Sequence, residues 1–376
     1  MSVPPVLVVA ARRTPFADAG RELSGLGPLE PAAAVLAALH GELGGCPVDD
    51  VVLGSATGPG GDAARVAALA AGLGPAVPGV RVDRQCGSGL DAIRVGAALV
   101  AQGEDVVLAG GFDAGSAEVG GYGGAGVRRA AFAPPGYPDP EMGPAADALA
   151  AELGITRRRQ DAYAARSHAR AVAAAARGEF AAELVPVGGL AHDPRPRSRL
   201  DTGRLARFRP AFAPHGSVTA GNSCSVSDGA AAVALVSGRT WAARPVPALA
   251  VRTAVVVGGD PARPGAAAAP AVRKALARAG IGLDEVGAVE IVEAFAAQVL
   301  ACTDALGLDP TGADDDRVSP QGGAIALGHP WGASGAAVVV RLFARMVRHR
   351  GPRYGVAACA VGGGQGVAVV VERVDA

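Results

Sequence analysis

Short, valine-rich apolar runs punctuate the chain: Val6–Ala11, Val51–Leu53, Val106–Ala109, Ala230–Val236, Ala250–Val257, Val289–Val292, Gly355–Ala360 and Val367–Val371. Runs of this length without polar alternation read as strands buried on both faces. Between them stand helical stretches near Glu30–Leu43, Ala63–Gly72, Leu90–Gln102, Ala269–Ala279 and Ala333–Val347. Buried strands alternating with helices predict an α/β fold, and 376 residues are enough for two or three modest domains, each with its own core.

The order of features suggests an internal duplication. In the first half a helix leads through Pro47-Val48-Asp49-Asp50 to Val51–Leu53, and a glycine-rich turn at 86–89 then opens an apolar helix followed by the strand at 105–110. In the second half a helix leads through Leu283-Asp284-Glu285 to Val289–Val292, and the turn at 328–335 opens an apolar helix followed by Gly355–Ala360. Residues 112 to about 214 break this rhythm, being Gly/Pro-rich at 120–140, helical at Met142–Leu153 and Gln160–Arg177, and basic and loop-like at Asp193–Arg209. They read as an inserted subdomain (112–214), with 1–111 and 215–246 forming one half of the core and 247–376 the other.

Thirty-five basic residues balance 35 acidic ones, so no overall field draws the protein to nucleic acid or to an anionic membrane. Any anionic ligand must be held locally. The first apolar run is too short for a signal peptide or a membrane span. The cysteines at 46, 86, 224, 302 and 359 are odd in number and lack CxxC spacing, which suggests neither a disulfide framework nor a zinc site and points to free thiols in a reducing cytoplasm.

Cys86 follows an extended segment and opens a helix in Asp83-Arg84-Gln85-Cys86-Gly87-Ser88-Gly89. Unpaired N–H groups and the partial positive charge of a helix N-terminus are expected to stabilise a thiolate there and lower its pKa, although a buried structural cysteine is an equally common outcome. His329, on the turn before the second apolar helix, is placed to pair with that thiol or to donate to an oxyanion. A lone loop histidine is more often merely solvated, but the equivalent positions of Cys86 and His329 in the two repeats favour a functional pair.

The segments ARRTPF (11–16), DRQCGSGLDAI (83–93), VLAGG (107–111), QDAYAARSHARA (160–171), FRPAF (208–212), GSVTAGNSCSVSDGAAA (216–232), VEAFAAQ (292–298), GGAIALGHPWGASG (322–335) and GGGQG (362–366) resemble, in order and over nearly the whole chain, the thiolase family. The resemblance implies a duplicated five-layer αβαβα core, an inserted loop domain that binds coenzyme A, a homodimer or homotetramer, and no permanently bound cofactor or metal, with a coenzyme A or carrier-protein thioester as substrate. It makes Cys86 the acylated nucleophile and His329 its activator, with backbone N–H groups of Cys86 and Gly362 forming an oxyanion hole. Met142 matches a methionine lining the acyl and pantetheine pocket, and Arg197, beside Arg195 and Arg199, a basic residue that contacts the nucleotide of coenzyme A.

Three positions depart from the family pattern. Val292 replaces the asparagine of Asn-Glu-Ala-Phe, which positions a water beside the catalytic histidine. The second family cysteine, which moves the proton at the nucleophile's α-carbon, falls on Ala360, and Cys359 is one residue early. A shift of one along a strand points the side chain to the opposite face unless a bulge intervenes. Cys224 stands where the family usually has a serine near the pantetheine arm, replacing a good hydrogen-bonding hydroxyl by a weak one. The leading expectation is therefore an acyltransferase that loads Cys86 and passes the acyl group to an amine, alcohol, thiol or water without carbon–carbon bond chemistry. An ordinary acetyl-CoA acetyltransferase or 3-ketoacyl-CoA thiolase, and a non-catalytic scaffold subunit, are the alternatives.

Overall fold

Each apolar run forms a strand in the computed structural model, which describes residues 5–117 and 131–376. The strands are β1 (Val6–Arg13), β2 (Ala17–Asp18), β3 (Asp50–Gly54), β4 (Val80–Val82), β5 (Val106–Ala114), β6 (Ser227–Ser237), β7 (Ala248–Gly258), β8 (Val286–Ile291), β9 (Tyr354–Val361) and β10 (Gln365–Val374). The principal helices are α1 (Glu30–Glu42), α2 (Ala63–Ala70), α3 (Ser88–Gln102), α4 (Met142–Glu152), α5 (Arg157–Ala176), α6 (Thr202–Leu205), α7 (Gly238–Ala243), α8 (Ala268–Ala279), α9 (Ala296–Leu306), α10 (Ala324–Leu327) and α11 (Trp331–Phe343). Part of the Gly/Pro-rich stretch at 120–140 lies outside the described residues. Helix α9 and strand β4 are additions to the sequence-based expectation, and β5 continues three residues past 111.

The strand order is β4-β3-β5-β6-β1-β7-β10-β9-β8, with β2 on β6. From β3 to β8 this order is a palindrome of two equivalent halves. In each, a parallel pair (β3 with β5, β8 with β9) is followed by antiparallel neighbours (β6 and β1, β10 and β7). Strand β1 of one half pairs with β7 of the other through Leu7 with Ala250 and Val8 with Leu249. Alternate residues of each strand feed different cores, as a pleat requires. On β5, Val106 and Leu108 join Val35, Leu36 and Ala67 of α1 and α2 in an outer core, whereas Val107 and Ala109 join Leu90, Ile93, Ala336 and Val339 of α3 and α11 in a central one. On β10, Val367 and Val369 face that same central core, while Ala368 and Val370 face Val272, Leu276 and Val299 of α8 and α9. The result is helix, sheet, helix, sheet, helix: five layers with α3 and α11 in the middle.

Those central helices touch backbone to backbone. A Cβ on Gly89 would lie 2.3 Å from the Gly332 carbonyl oxygen, and one on Gly335 would lie 2.7 Å from the Leu90 nitrogen. Only glycine permits that approach. It brings together the N-terminal ends of α3 and α11, just ahead of which stand Cys86 and His329. The stretch between β5 and β6 is tied to the core through buried charges: Arg13 on β1 donates to Glu183 and Asp193, and Arg341 on α11 also pairs with Glu183. Removing one member of such a network would strand its partner, a cost of roughly 3–5 kcal/mol.

Candidate active site

A cleft of about 1050 Å³ opens where the two halves meet, lined by Cys86, Met142, Cys224, His329, Ala360 and Gly362 among others. Sequence positions almost 280 residues apart thus share one wall. Arg197 is not part of it: its side chain is exposed, and its backbone N–H donates to His168 Nδ1 at 3.3 Å. The neighbouring Arg195 is engaged with the Asp18 carboxylate and the Ile325 carbonyl. Val292 is buried at 2 % exposure and lies behind the site, with its N–H on the Ala358 carbonyl.

Cys86 sits in a single helical turn, Gln85–Gly87, just ahead of α3. Ser88 Oγ accepts from the Arg84 N–H at 2.8 Å and donates to the Gln85 carbonyl at 2.6 Å, closing the turn. Gln85 takes a φ of 47°, an uncommon left-handed conformation for a side chain of its kind, of the sort stored at functional turns. The expected depression of the thiol pKa is not what the environment produces. Burial pushes Cys86 up to about 12, and the carboxylates of Asp113 and Asp83 add to the rise, with a smaller opposing pull from its own backbone N–H. Desolvation and negative charge outweigh the helix N-terminus, so the resting group is the thiol.

His329 is held at both ends. Its N–H donates to the Ser225 carbonyl and Ser227 Oγ, each at 3.1 Å, and Ser334, one turn into α11, lies 2.6 Å from Nδ1. Ser334 donates its own hydroxyl proton to the Pro330 carbonyl at 2.8 Å. Ser334 has one proton to give: given to Pro330, it leaves Oγ to accept from Nδ1–H and puts a lone pair on Nε2, the tautomer a general base requires. Nε2 is buried with no partner among the described residues. Burial also pulls the His329 pKa down to about 4, which keeps the ring neutral. A neutral base with its lone pair unengaged therefore shares the cleft with a neutral thiol.

Asp113, at the end of β5, fixes the relation between the two turns. Its carboxylate accepts from Ser55 Oγ, from the hydroxyl and N–H of Thr57, from the Ala56 N–H, and at 2.6 Å from the Gly332 N–H at the start of α11. A residue of strand β5 thus caps the second-half helix. Ser334 and Asp113 were absent from the sequence-based site, though Ser334 lies within the quoted GHPWGASG segment. The stretch 222–227 stitches the remaining wall: Cys224 donates its N–H to the Ala294 carbonyl at 3.0 Å, and Asn222 accepts from the Ala296 N–H at 2.9 Å through its carbonyl. Burial and the proximity of Cys86 push the Cys224 thiol up to about 12.

Strand β9 pairs with β10 in unbroken register from Tyr354 to Val361. With no bulge, Ala360 faces the cleft, and Cys359 is fully buried with its thiol against the Cys86 carbonyl oxygen at 3.2 Å. Burial, then Cys86, drives the Cys359 pKa well above the ordinary thiol value. Among the described residues no group of three His, Cys, Asp or Glu side chains is placed to hold a metal ion, and no helix is long and apolar enough to cross a membrane.

Comparison with known proteins identifies the architecture. The thiolase N-terminal domain profile matches residues 6–239 and the thiolase C-terminal domain profile residues 246–373. The chain belongs to the thiolase family. This thiolase is 39% identical to an acetyl-CoA acetyltransferase of Pseudomonas aeruginosa, over 98% of its own length and 99% of the relative's. A beta-ketoadipyl-CoA thiolase of Acinetobacter baylyi is also 39% identical, with the same coverage. The crystal structure of the Bacillus anthracis acetyl-CoA acetyltransferase superposes with a TM-score of 0.89 at 33% identity, covering 99% of both chains. The thiolase fold and an acyltransferase activity follow from these likenesses.

Proposed function

We propose that this thiolase takes an acyl group from a coenzyme A thioester onto Cys86, and the observation supporting this reading is that Cys86 and His329, whose Nε2 is unengaged, line one cleft. His329 Nε2 takes the thiol proton as Sγ attacks the thioester carbonyl, so no free thiolate is needed at rest. The oxyanion is received by the backbone N–H groups of Cys86 and Gly362. The intermediate collapses by breaking the bond to the coenzyme A sulfur, which leaves as a thiol with the proton held by His329. Met142, half-buried at the start of α4, and Cys224 line the path of the pantetheine arm, and Arg197 on the exposed loop meets the nucleotide. Residues 112–214 act as the loop domain between halves 1–111 with 215–246 and 247–376. A cytoplasmic homodimer or homotetramer, loaded by coenzyme A or by a carrier protein, completes this reading.

What happens to the acyl group next divides two outcomes. The named activities of the relatives favour ordinary thiolase chemistry, in which a carbon–carbon bond is made or broken. The composition of this cleft favours the other: Ala360 supplies no base at the α-carbon, Val292 no amide, and Cys359 lies beneath Cys86 with its thiol proton held firmly. An acceptor that needs no carbon base, such as an amine or alcohol, suits the groups that remain. Thiolysis of acetoacetyl-CoA, followed by loss of enolate absorbance, decides between them. Acylation of Cys86 without thiolysis, and a gain of thiolysis in Ala360→Cys with Val292→Asn, support acyl transfer without Claisen chemistry. Robust wild-type thiolysis abolished by Cys359→Ser returns the protein to ordinary thiolase chemistry. No acyl group on Cys86 from any thioester refutes the whole reading.

A further inference from the structure

His329 is anchored through its main chain as well as its ring. Its N–H meets the Ser225 carbonyl and Ser227 Oγ, each at 3.1 Å, and a Cβ on the preceding Gly328, whose φ is 109°, would lie 2.6 Å from that same Oγ. The hydroxyls of Ser225 and Ser227 are 3.0 Å apart, and Ser225 Oγ goes on to donate to the Asp18 carboxylate. Asp18 stands opposite Ser227 in the β2–β6 pair. Arg195 closes the far end. Its NH1 lies 3.0 and 3.1 Å from the two Asp18 oxygens, while Nε donates at 3.1 Å to the carbonyl of Ile325 in α10, the short helix that ends two residues before His329. Neither Asp18 nor Arg195 is among the residues lining the cleft.

The protons give this string of groups a direction. A carboxylate can only accept, so the Ser225 proton goes to Asp18 and leaves Ser225 Oγ as an acceptor. The Ser227 proton then goes to Ser225, to Oγ at 3.0 Å or to the carbonyl at 3.1 Å, and the lone pairs of Ser227 Oγ are kept for the His329 N–H. Hydrogen bonds that end on a charge are the stronger ones, and successive bonds polarise one another. Without the carboxylate, Ser225 can turn its hydroxyl onto Ser227 Oγ and compete with the His329 N–H for it. Asp18 and Arg195 both lie outside the segments that carry the family resemblance, so the family pattern does not by itself supply this anchor.

We propose that Asp18 is a positioning residue for His329, acting through Ser225 and Ser227 to hold the imidazole in register with Cys86. The inference rests on the proposed function, in which that imidazole takes the Cys86 proton. Displacing a catalytic group costs about a hundredfold for 1 Å, and with the Ser225 carbonyl and Ser334 still in place a loss of about tenfold is expected. The test measures acylation of full-length protein by acetyl-CoA, by rapid-quench intact-protein mass, in Asp18→Asn, Ser225→Ala and the double variant. Each single change should lower the maximal rate about tenfold and leave the half-saturating concentration within about twofold. The double variant should be no slower than either, because both changes break one string. In a His329→Ala background the same changes should cost nothing further. Unchanged rates in both single variants overturn the inference, as do a loss that appears in half-saturation instead, multiplied losses in the double variant, or a loss of the same size without His329. Should Asp18→Asn unfold the loop at Arg195, Ser225→Ala, which leaves the Asp18–Arg195 pair intact, carries the test alone. A second measurement does not depend on acylation. In nitrogen-15 histidine-labelled protein the amide proton signal of His329, assigned by its loss in His329→Gln, should move upfield in both variants. That shift in a protein that acetyl-CoA fails to acylate overturns the proposed function and supports the inference, and an unmoved signal overturns the inference.

Discussion

Replacing Ser334 by alanine isolates one atom of the site. The lost Oγ accepts from His329 Nδ1 at 2.6 Å and is the group that assigns the ring proton to that nitrogen. Without it a buried N–H has no acceptor, a deficit of about 1–3 kcal/mol, and the tautomer with the proton on Nε2, which cannot take a proton from Cys86, is no longer disfavoured. At 1.36 kcal/mol per factor of ten, acylation of Cys86 should slow by about 10- to 100-fold. The scaffold should hardly notice. The Pro330 carbonyl keeps the N–H groups of Ala333 and Ser334 at 3.0 and 2.9 Å, and alanine is the better helix former. Rapid-quench intact-protein mass at saturating acyl-CoA measures the rate, and a thermal melt measures the fold. Ser334→Thr, which keeps the hydroxyl, should recover most of the activity. A rate within twofold of wild type in Ser334→Ala would refute the tautomer argument, as would a loss matched by collapse of the melting temperature.

Three further outcomes follow from the same structure. Alkylation of Cys86 by iodoacetamide in His329→Ala should rise steadily with pH and show no plateau below pH 9, because burial and the carboxylates of Asp113 and Asp83 hold that thiol near 12; a titration midpoint between pH 6 and 8 would contradict this. His168 and His329 are both held near 4 by burial, so between about 6.5 and 4 the unfolded chain binds protons that the folded chain refuses. Stability present above pH 6.5 should therefore fall as pH drops towards 4, by up to about 3 kcal/mol for each histidine, and urea midpoints at pH 7 and 4.5 for wild type and His168→Gln, where the fall should be smaller, test it. Gly89→Ala puts a methyl 2.3 Å from the Gly332 carbonyl and should cost about 1–3 kcal/mol or more, read as a lowered melting temperature; an unchanged melt would show that α3 and α11 can part.

The strands were legible because valine runs buried on both faces admit few other structures, and the alternation of β9 set the opposite facings of Cys359 and Ala360 from sequence parity alone. Helix α9 was not, since it begins after Phe295 without a side-chain cap and so leaves no start signal. The Cys86 environment escaped for a different reason. A helix N-terminus is a local feature that sequence displays, whereas desolvation by cleft walls and the charge of Asp113, on another strand, exist only once the halves are assembled. Ser334 was visible five residues after His329, but its role depends on a proton shared between a side chain and a carbonyl, which residue spacing alone does not reveal.

The palindromic sheet also governs how the chain can be made. Strand β1 spans Val6–Arg13, yet its pairing with β6 joins Val6 to Ser237, so it emerges from the ribosome about 230 residues before its neighbour exists. At roughly 5–20 residues per second that is on the order of ten to forty-five seconds with both edges of an apolar strand unpaired. The second half has a shorter delay of the same kind, β7 waiting for β10. Since α11 seats itself against Asp113, the nucleophile acquires its base only after most of the chain has been synthesised, and the nascent first half carries its cysteine to that moment chemically idle.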